Sequence, residues 1–149
     1  MKNNINIHSL VKNTGLNLLS EGKTIRMKAH GYSMYPNIKP GSLVLIEPIQ
    51  LKGAPVPGEI IAVIRGNGLI IHRLVKTIKK NNITFYIARG DSNPYPDMPV
   101  GIESIAGRVT GAETTGENPQ PADIRIKRKP GYFLNRLKVI GIIILKKLT

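Results

Sequence analysis

Three short segments carry the residue types that could do chemistry. Gly31-Tyr32-Ser33-Met34-Tyr35-Pro36 sets a hydroxyl on a turn between a glycine and a proline. Ile71-His72-Arg73 offers an imidazole, and Arg89-Gly90-Asp91-Ser92-Asn93-Pro94-Tyr95-Pro96-Asp97 offers two carboxylates. A lone serine hydroxyl is a weak nucleophile near neutral pH. It needs a base to take its proton, and the base needs a group that fixes its tautomer. On a turn, Ser33 is free of ladder hydrogen bonds, so its hydroxyl can face a cleft while nearby N–H groups, its own first, form an oxyanion hole.

Each residue also has an ordinary reading. Serines are common in turns. Strand alternation groups His72 with Ile70 and Leu74 on one face and Arg73 with Ile71 and Val75 on the other, so His72 reads equally as a half-buried core histidine. Aspartate after glycine often closes a turn through its own backbone, which suits Asp91 better than Asp97. Asp97 lies among prolines, whose stiffness suits an orienting carboxylate. Which of the two aspartates orients the ring stays open at this level.

The elements that must position these groups follow from pattern. Ile7 to Ser20 reads as a short helix with Gly22 past its end. Thr24 to Ala29 alternates, with Ile25, Met27 and Ala29 on one face. Leu43 to Ile46 reads as a buried strand, and Pro48 to Gly58 as a loop. Ile60 to Ile64 and Leu69 to Ile78 are expected to form a hairpin across Gly66-Asn67-Gly68. Lys79 to Asn82 reads as a turn, Ile83 to Ala88 as a strand, Gly90 to Gly101 as a proline-rich loop and Ile102 to Thr110 as the last strand. Gly111 to Asp123 reads as a linker, and Tyr132 to Leu148 has helical character with an apolar block from Val139 to Leu145. The fold expected is mainly β, with an N-terminal element over 1–22, a β domain over 23–110, and a linker with a basic, apolar tail over 111–149.

Composition narrows the classes. At 149 residues the chain makes one domain with a sizeable core. It has no cysteine, which excludes disulfides and thiolate metal sites, and its three histidines show no ligand-like spacing, so no metal and no cofactor is expected. The net charge is +13, and eight basic residues with no acidic one follow Asp123. That tail, residues 125–148, fits an anionic membrane surface; from Arg136 to Lys147 it pairs basic side chains with Val139, Ile140, Ile142, Ile143, Ile144 and Leu145. The alternative is a helix or strand packed on the sheet. Nucleic acid is disfavoured, because a chain without tryptophan and with few aromatics makes a poor stacking platform. No run reaches the roughly 20 apolar residues of a membrane span, and Met1 to Asn17 lacks a signal-peptide pattern. The expectation is a cytoplasmic protein, peripheral to the membrane through its tail.

Taken together, the segments resemble the type I signal peptidase superfamily, which includes the self-cleaving SOS-repressor proteases. Gly31 to Pro36 resembles the Gly-X-Ser-Met-X-Pro nucleophile box, and Gly58 to Val63 the segment leading into the base-bearing strand. Ile71-His72-Arg73 resembles the base box of the branch of the endoplasmic reticulum, archaea and sporulating bacteria, where histidine replaces lysine. Gly90-Asp91-Ser92-Asn93, with Asp97 and Gly107-Arg108-Val109, resembles its last box. The resemblance runs from about Ile25 to Val109. It implies a coiled antiparallel sheet and a serine endopeptidase acting on a peptide or preprotein after small residues, as in signal-peptide processing. Ser33 would be the nucleophile, His72 the general base, Asp97 the orienter and Asp91 a brace for the loop. Two departures stand out: Gly41-Ser42 replaces the usual Gly-Asp, and the family's N-terminal membrane anchor is missing. The rival reading is a non-catalytic β module that binds a membrane surface or nucleic acid. A repressor-type autoprotease would need a DNA-binding helix pair, for which Met1 to Gly22 is too short.

Overall fold

The computed structural model describes residues 7–66, 68–113 and 131–148, with side chains from Thr14 onward. The chain forms a helix α1 (Ile7–Ser20) and strands β1 (Ile25–Lys28), β2 (Leu43–Pro48), β3 (Ile60–Arg65), β4 (Gly68–Lys80), β5 (Ile83–Arg89) and β6 (Ile105–Glu113), then a helix α2 (Tyr132–Leu148). The strands form one sheet in the order β1-β2-β6-β3-β4-β5, every neighbouring pair antiparallel. The mainly β expectation therefore holds.

The sequence explains why β3 is central. Ile60, Ile61, Ala62 and Val63 are all buried, and alternate residues point to opposite faces of a strand. Ile60 and Ala62 join one core with Leu19, Met34, Ile38, Val44 and Ile46. Ile61 and Val63 join a second with Leu74, Tyr86, Ala88 and Ile105. The sheet thus carries apolar packing on both faces. The first core seals α1, whose end is closed by Gly22 N–H to the Leu19 carbonyl (3.0 Å) and Lys23 N–H to the Leu18 carbonyl (2.9 Å), the Schellman pattern.

Several boundaries move. The β4–β5 turn is tighter than Lys79 to Asn82: Lys79 and Lys80 pair with Thr84 and Ile83, and only Asn81 and Asn82 take positive φ, 51° and 61°. Asparagine tolerates that region better than most residues, so two of them suffice for a two-residue hairpin loop. Leu43 to Ile46 is not buried throughout; β2 alternates, with Leu43 39% exposed and Val44 and Ile46 at 0%. The last strand begins after a short 3₁₀ turn at Ile102–Ser104 and runs on to Glu113, so Gly111, Ala112 and Glu113 pair in the sheet, while the rest of the expected linker and the basic stretch up to residue 130 lie outside the described residues. Asn67 does too.

Candidate active site

The serine turn leaves β1 and is pegged from below. Met34 and Ile38 are 4% and 3% exposed in the first core, and the chain between them is closed by Tyr35 N–H to the Tyr32 carbonyl and Ile38 N–H to the Met34 carbonyl. Gly31 sits at φ +78°, a backbone state most side chains resist; it turns the chain out of β1 and brings Ser33 up half-buried. The Tyr35–Pro36 peptide is cis. Ser33 lines a cleft of about 230 Å³ with Met27, Ala29, Met34, Leu69, Ile70 and Ile71 among its walls.

Where that cleft lies follows from the register. Within β4, Gly68 to His72 pair with β3, whereas pairing with β5 begins at Arg73. Among the described residues, the start of β4 is thus an edge of the sheet. Ile70 and Ile71 point to opposite faces, yet both line the cleft with Ser33. The cleft therefore wraps around the open edge of β4, one residue before His72.

His72 is 6% exposed, and its Nδ1 lies 2.6 Å from Asp97 Oδ2. The carboxylate can only accept from the ring, so Nδ1 carries the proton and Nε2 is left with its lone pair. Asp97 is itself anchored, its N–H donating to the Ala88 carbonyl at 2.8 Å. No hydrogen bond among the described residues joins the Ser33 hydroxyl to His72; Ser33 is tied down through its carbonyl, which accepts from Ser92 N–H at 2.9 Å and Ser92 Oγ at 3.2 Å.

Asp91 does something else. It is fully buried and takes a forked pair of bonds from Arg73, Nε to Oδ1 and Nη2 to Oδ2, each 2.8 Å. Asn37 Nδ2 donates to the same carboxylate at 2.6 Å, and Arg73 Nη1 reaches the Gly58 carbonyl. Arg73 stands opposite Ile60 in the register and His72 opposite Ile61, so neighbouring β4 residues engage the two aspartates from opposite faces. An ion pair this buried is stable only because its remaining donors and acceptors are filled. It locks the loop to the sheet, and the loop locks the serine turn: Ser92 Oγ also donates to the Tyr32 carbonyl at 2.6 Å. At Gly90 the fit is close enough that an added Cβ would lie 2.7 Å from the Ser33 carbonyl oxygen.

Residues from the tail join this bracing, and pattern alone gave no sign of them. Asn135 Nδ2 donates to the Asp91 carbonyl at 2.9 Å. The Tyr132 ring lies 3.5 Å from the Arg89 guanidinium, and burial raises the pKa of its phenol. Lys146 Nζ bonds the Tyr32 hydroxyl at 2.8 Å. The one signal in the sequence is Asn135, an amide in a helix whose other side chains are apolar, aromatic or basic. Of the other histidines, His30 lines the exposed rim of the cleft and the side chain of His8 lies outside the described residues. No group of three or more His, Cys, Asp or Glu that could hold a metal ion occurs among the described residues.

Residues 6–110 match the family described as Peptidase S24-like. No curated protein matches the chain. The matched span holds the serine turn, the strand that carries His72 and the aspartate loop, and ends before α2.

Proposed function

The chain belongs to the Peptidase S24-like family, within the superfamily of SOS-repressor and signal-peptidase-like proteins, and on that footing we propose that it is a serine endopeptidase of the Ser-His type. Ser33 is the nucleophile, His72 the base, Asp97 the orienter, and Asp91 the brace. One observation carries the reading: a buried imidazole, tautomer fixed by Asp97 at 2.6 Å, follows directly on two residues that line the serine's cleft.

The chemistry follows from that tautomer. His72 Nε2 accepts the Ser33 proton as Oγ attacks the scissile carbonyl, and the imidazolium formed is stabilised by Asp97. The tetrahedral oxyanion takes N–H donors at the turn, that of Ser33 first. The imidazolium then protonates the leaving amine, and water, deprotonated by the same nitrogen, releases the acyl group. Contact between the serine and the ring tightens in such sites when substrate fills the cleft. The apolar cleft walls suit an apolar segment of peptide, and the family suggests small residues beside the cut. Precursors carrying signal peptides, presented at a membrane surface, are the candidate substrate class.

The test combines adduct mapping with one substitution. A labelled, serine-directed acylating probe should mark Ser33, and Ser33→Ala should abolish both labelling and peptide cleavage. Labelling at another residue, or cleavage that survives the substitution, would overturn the assignment. Should wild-type protein neither label nor cleave, the family's non-catalytic role as a binding β module becomes the better reading.

A further inference from the structure

Among the described residues, the contacts of helix α2 with the domain fall along one edge. Tyr132, Asn135, Val139 and Lys146 fall on one side of a 3.6-residue period. Through them the helix meets Arg89, the Asp91 carbonyl and Tyr32. Asn135 and Val139 are its only buried residues. Tyr32 precedes Ser33, and the loop from Arg89 leads to Ser92, which bonds the Tyr32 and Ser33 carbonyls. The docked edge of α2 thus ends on the two segments that set the proposed nucleophile.

The opposite edge carries a continuous apolar stripe. Phe133, Leu137, Ile140, Ile144 and Leu148 recur every three or four residues, and all are exposed, Phe133 at 74% and Leu148 at 78%. On a helical projection Arg136 and Lys147 border this stripe on one side, and on the other Leu134 and Leu145, also exposed, extend it as far as Lys138. No acidic residue occurs between Tyr132 and Leu148. Among the described residues no helix is long and apolar enough to cross a membrane.

These features select one occupant. A second copy of α2 would bring cationic borders against cationic borders. Nucleic acid would neutralise the borders and leave the stripe in water. An anionic lipid surface satisfies both, acyl chains taking the stripe and headgroups the cations. We propose that α2 lies in the plane of an anionic bilayer and, through Asn135 and Lys146, holds the Ser33 turn and its bracing loop in register, so that lipid engagement positions the site. The lipid half stands by itself; the positioning half rests on the peptidase reading.

The experiment uses the full chain. It should co-sediment with vesicles of phosphatidylglycerol and phosphatidylcholine, less so as salt is raised, and weakly with phosphatidylcholine alone. Leu137→Glu with Ile144→Glu, both solvent-facing and so expected to leave the thermal melt unchanged, should lower partitioning at least about tenfold, since each removes an apolar side chain from the interface. Arg136→Gln, Lys138→Gln and Lys147→Gln together should weaken binding to anionic vesicles alone. Ser33→Ala should bind as wild type, so a failed peptidase reading leaves this result standing. Absence of binding to anionic vesicles overturns the proposal. So does a dimer in light scattering that the Leu137→Glu, Ile144→Glu pair dissociates, or binding to nucleic acid that competes the vesicles away. For the positioning half, vesicles should raise kcat on a soluble peptide several-fold at constant KM in wild type, and Asn135→Ala should remove that rise. Vesicle binding with kcat unchanged would overturn the coupling.

Discussion

Replacing Gly90 by alanine isolates the contact between the aspartate loop and the serine turn. The added Cβ would sit 2.7 Å from the Ser33 carbonyl oxygen and 2.8 Å from the Asn93 side chain, where ordinary contact begins at 3.4 Å. Asn93 can rotate away. The Ser33 carbonyl cannot, because Ser92 holds it through both N–H and Oγ. The turn must therefore yield by roughly 0.7 Å, and a misplacement of about 1 Å in a catalytic group can cost about a hundredfold in rate. We expect kcat to fall about ten- to a hundredfold with KM little changed. The overpacking should cost about 1–3 kcal/mol of stability, which a domain of ordinary stability survives folded. The assay is peptide hydrolysis and the rate of acylation of Ser33, read beside a thermal melt. An alanine variant that melts with wild type and keeps full kcat would refute the claim that this loop sets the nucleophile.

The two aspartates should separate cleanly. Asp97→Asn should leave the fold intact and lower kcat by on the order of 10⁴, the loss seen when a triad carboxylate becomes an amide; a loss under tenfold would remove Asp97 as the orienter. Asp91→Asn breaks a fully buried, forked ion pair, and removing one partner of such a pair costs about 3–5 kcal/mol. A wild-type denaturation midpoint in that variant would contradict the brace. His72→Gln should leave the fold intact and remove most of the activity, since losing the base of such a triad costs about as much as losing the whole unit; a loss of kcat under about tenfold would exclude His72 as the base. Ile61→Ala, at the centre of the second core, should cost about 2–5 kcal/mol in urea unfolding.

Turn chemistry made much of this legible. Gly31, Pro36, Gly90 and the prolines before Asp97 mark segments that the sheet was bound to leave outside its ladders, and such segments are where chemistry collects. The end of α1 was visible because Gly22 stands just past it, and α2 because Tyr132 to Leu148 has helical character. What stayed hidden is pairing at a distance. Alternation only groups Arg73 with Ile71 and Val75 and gives no sign of its partner; it is 2% exposed, because a loop 18 residues later folds back over its face. Alternation reports the period of a strand, not what covers each side. The lysines at 79 and 80 misled for a related reason: they are polar in composition but extended in backbone, and only the two asparagines need the left-handed region. In α2 the unbroken run from Val139 to Leu145 conceals which edge is docked; that depends on three polar contacts, from Asn135, Lys146 and Tyr132, whose partners lie in segments far away in sequence.

Among the described residues one side of β4 before His72 has no strand partner, and this has one more consequence. A strand with a vacant flank presents a row of main-chain donors and acceptors that water satisfies only provisionally. Any extended polypeptide can dock there through its amides, whatever its side chains. Discrimination among guests would then rest with the few walls that feel side chains, and tolerance of varied sequences would be built into the architecture. The same vacancy exposes the protein to stray self-association, so a well-behaved preparation should depend on how often that berth is filled.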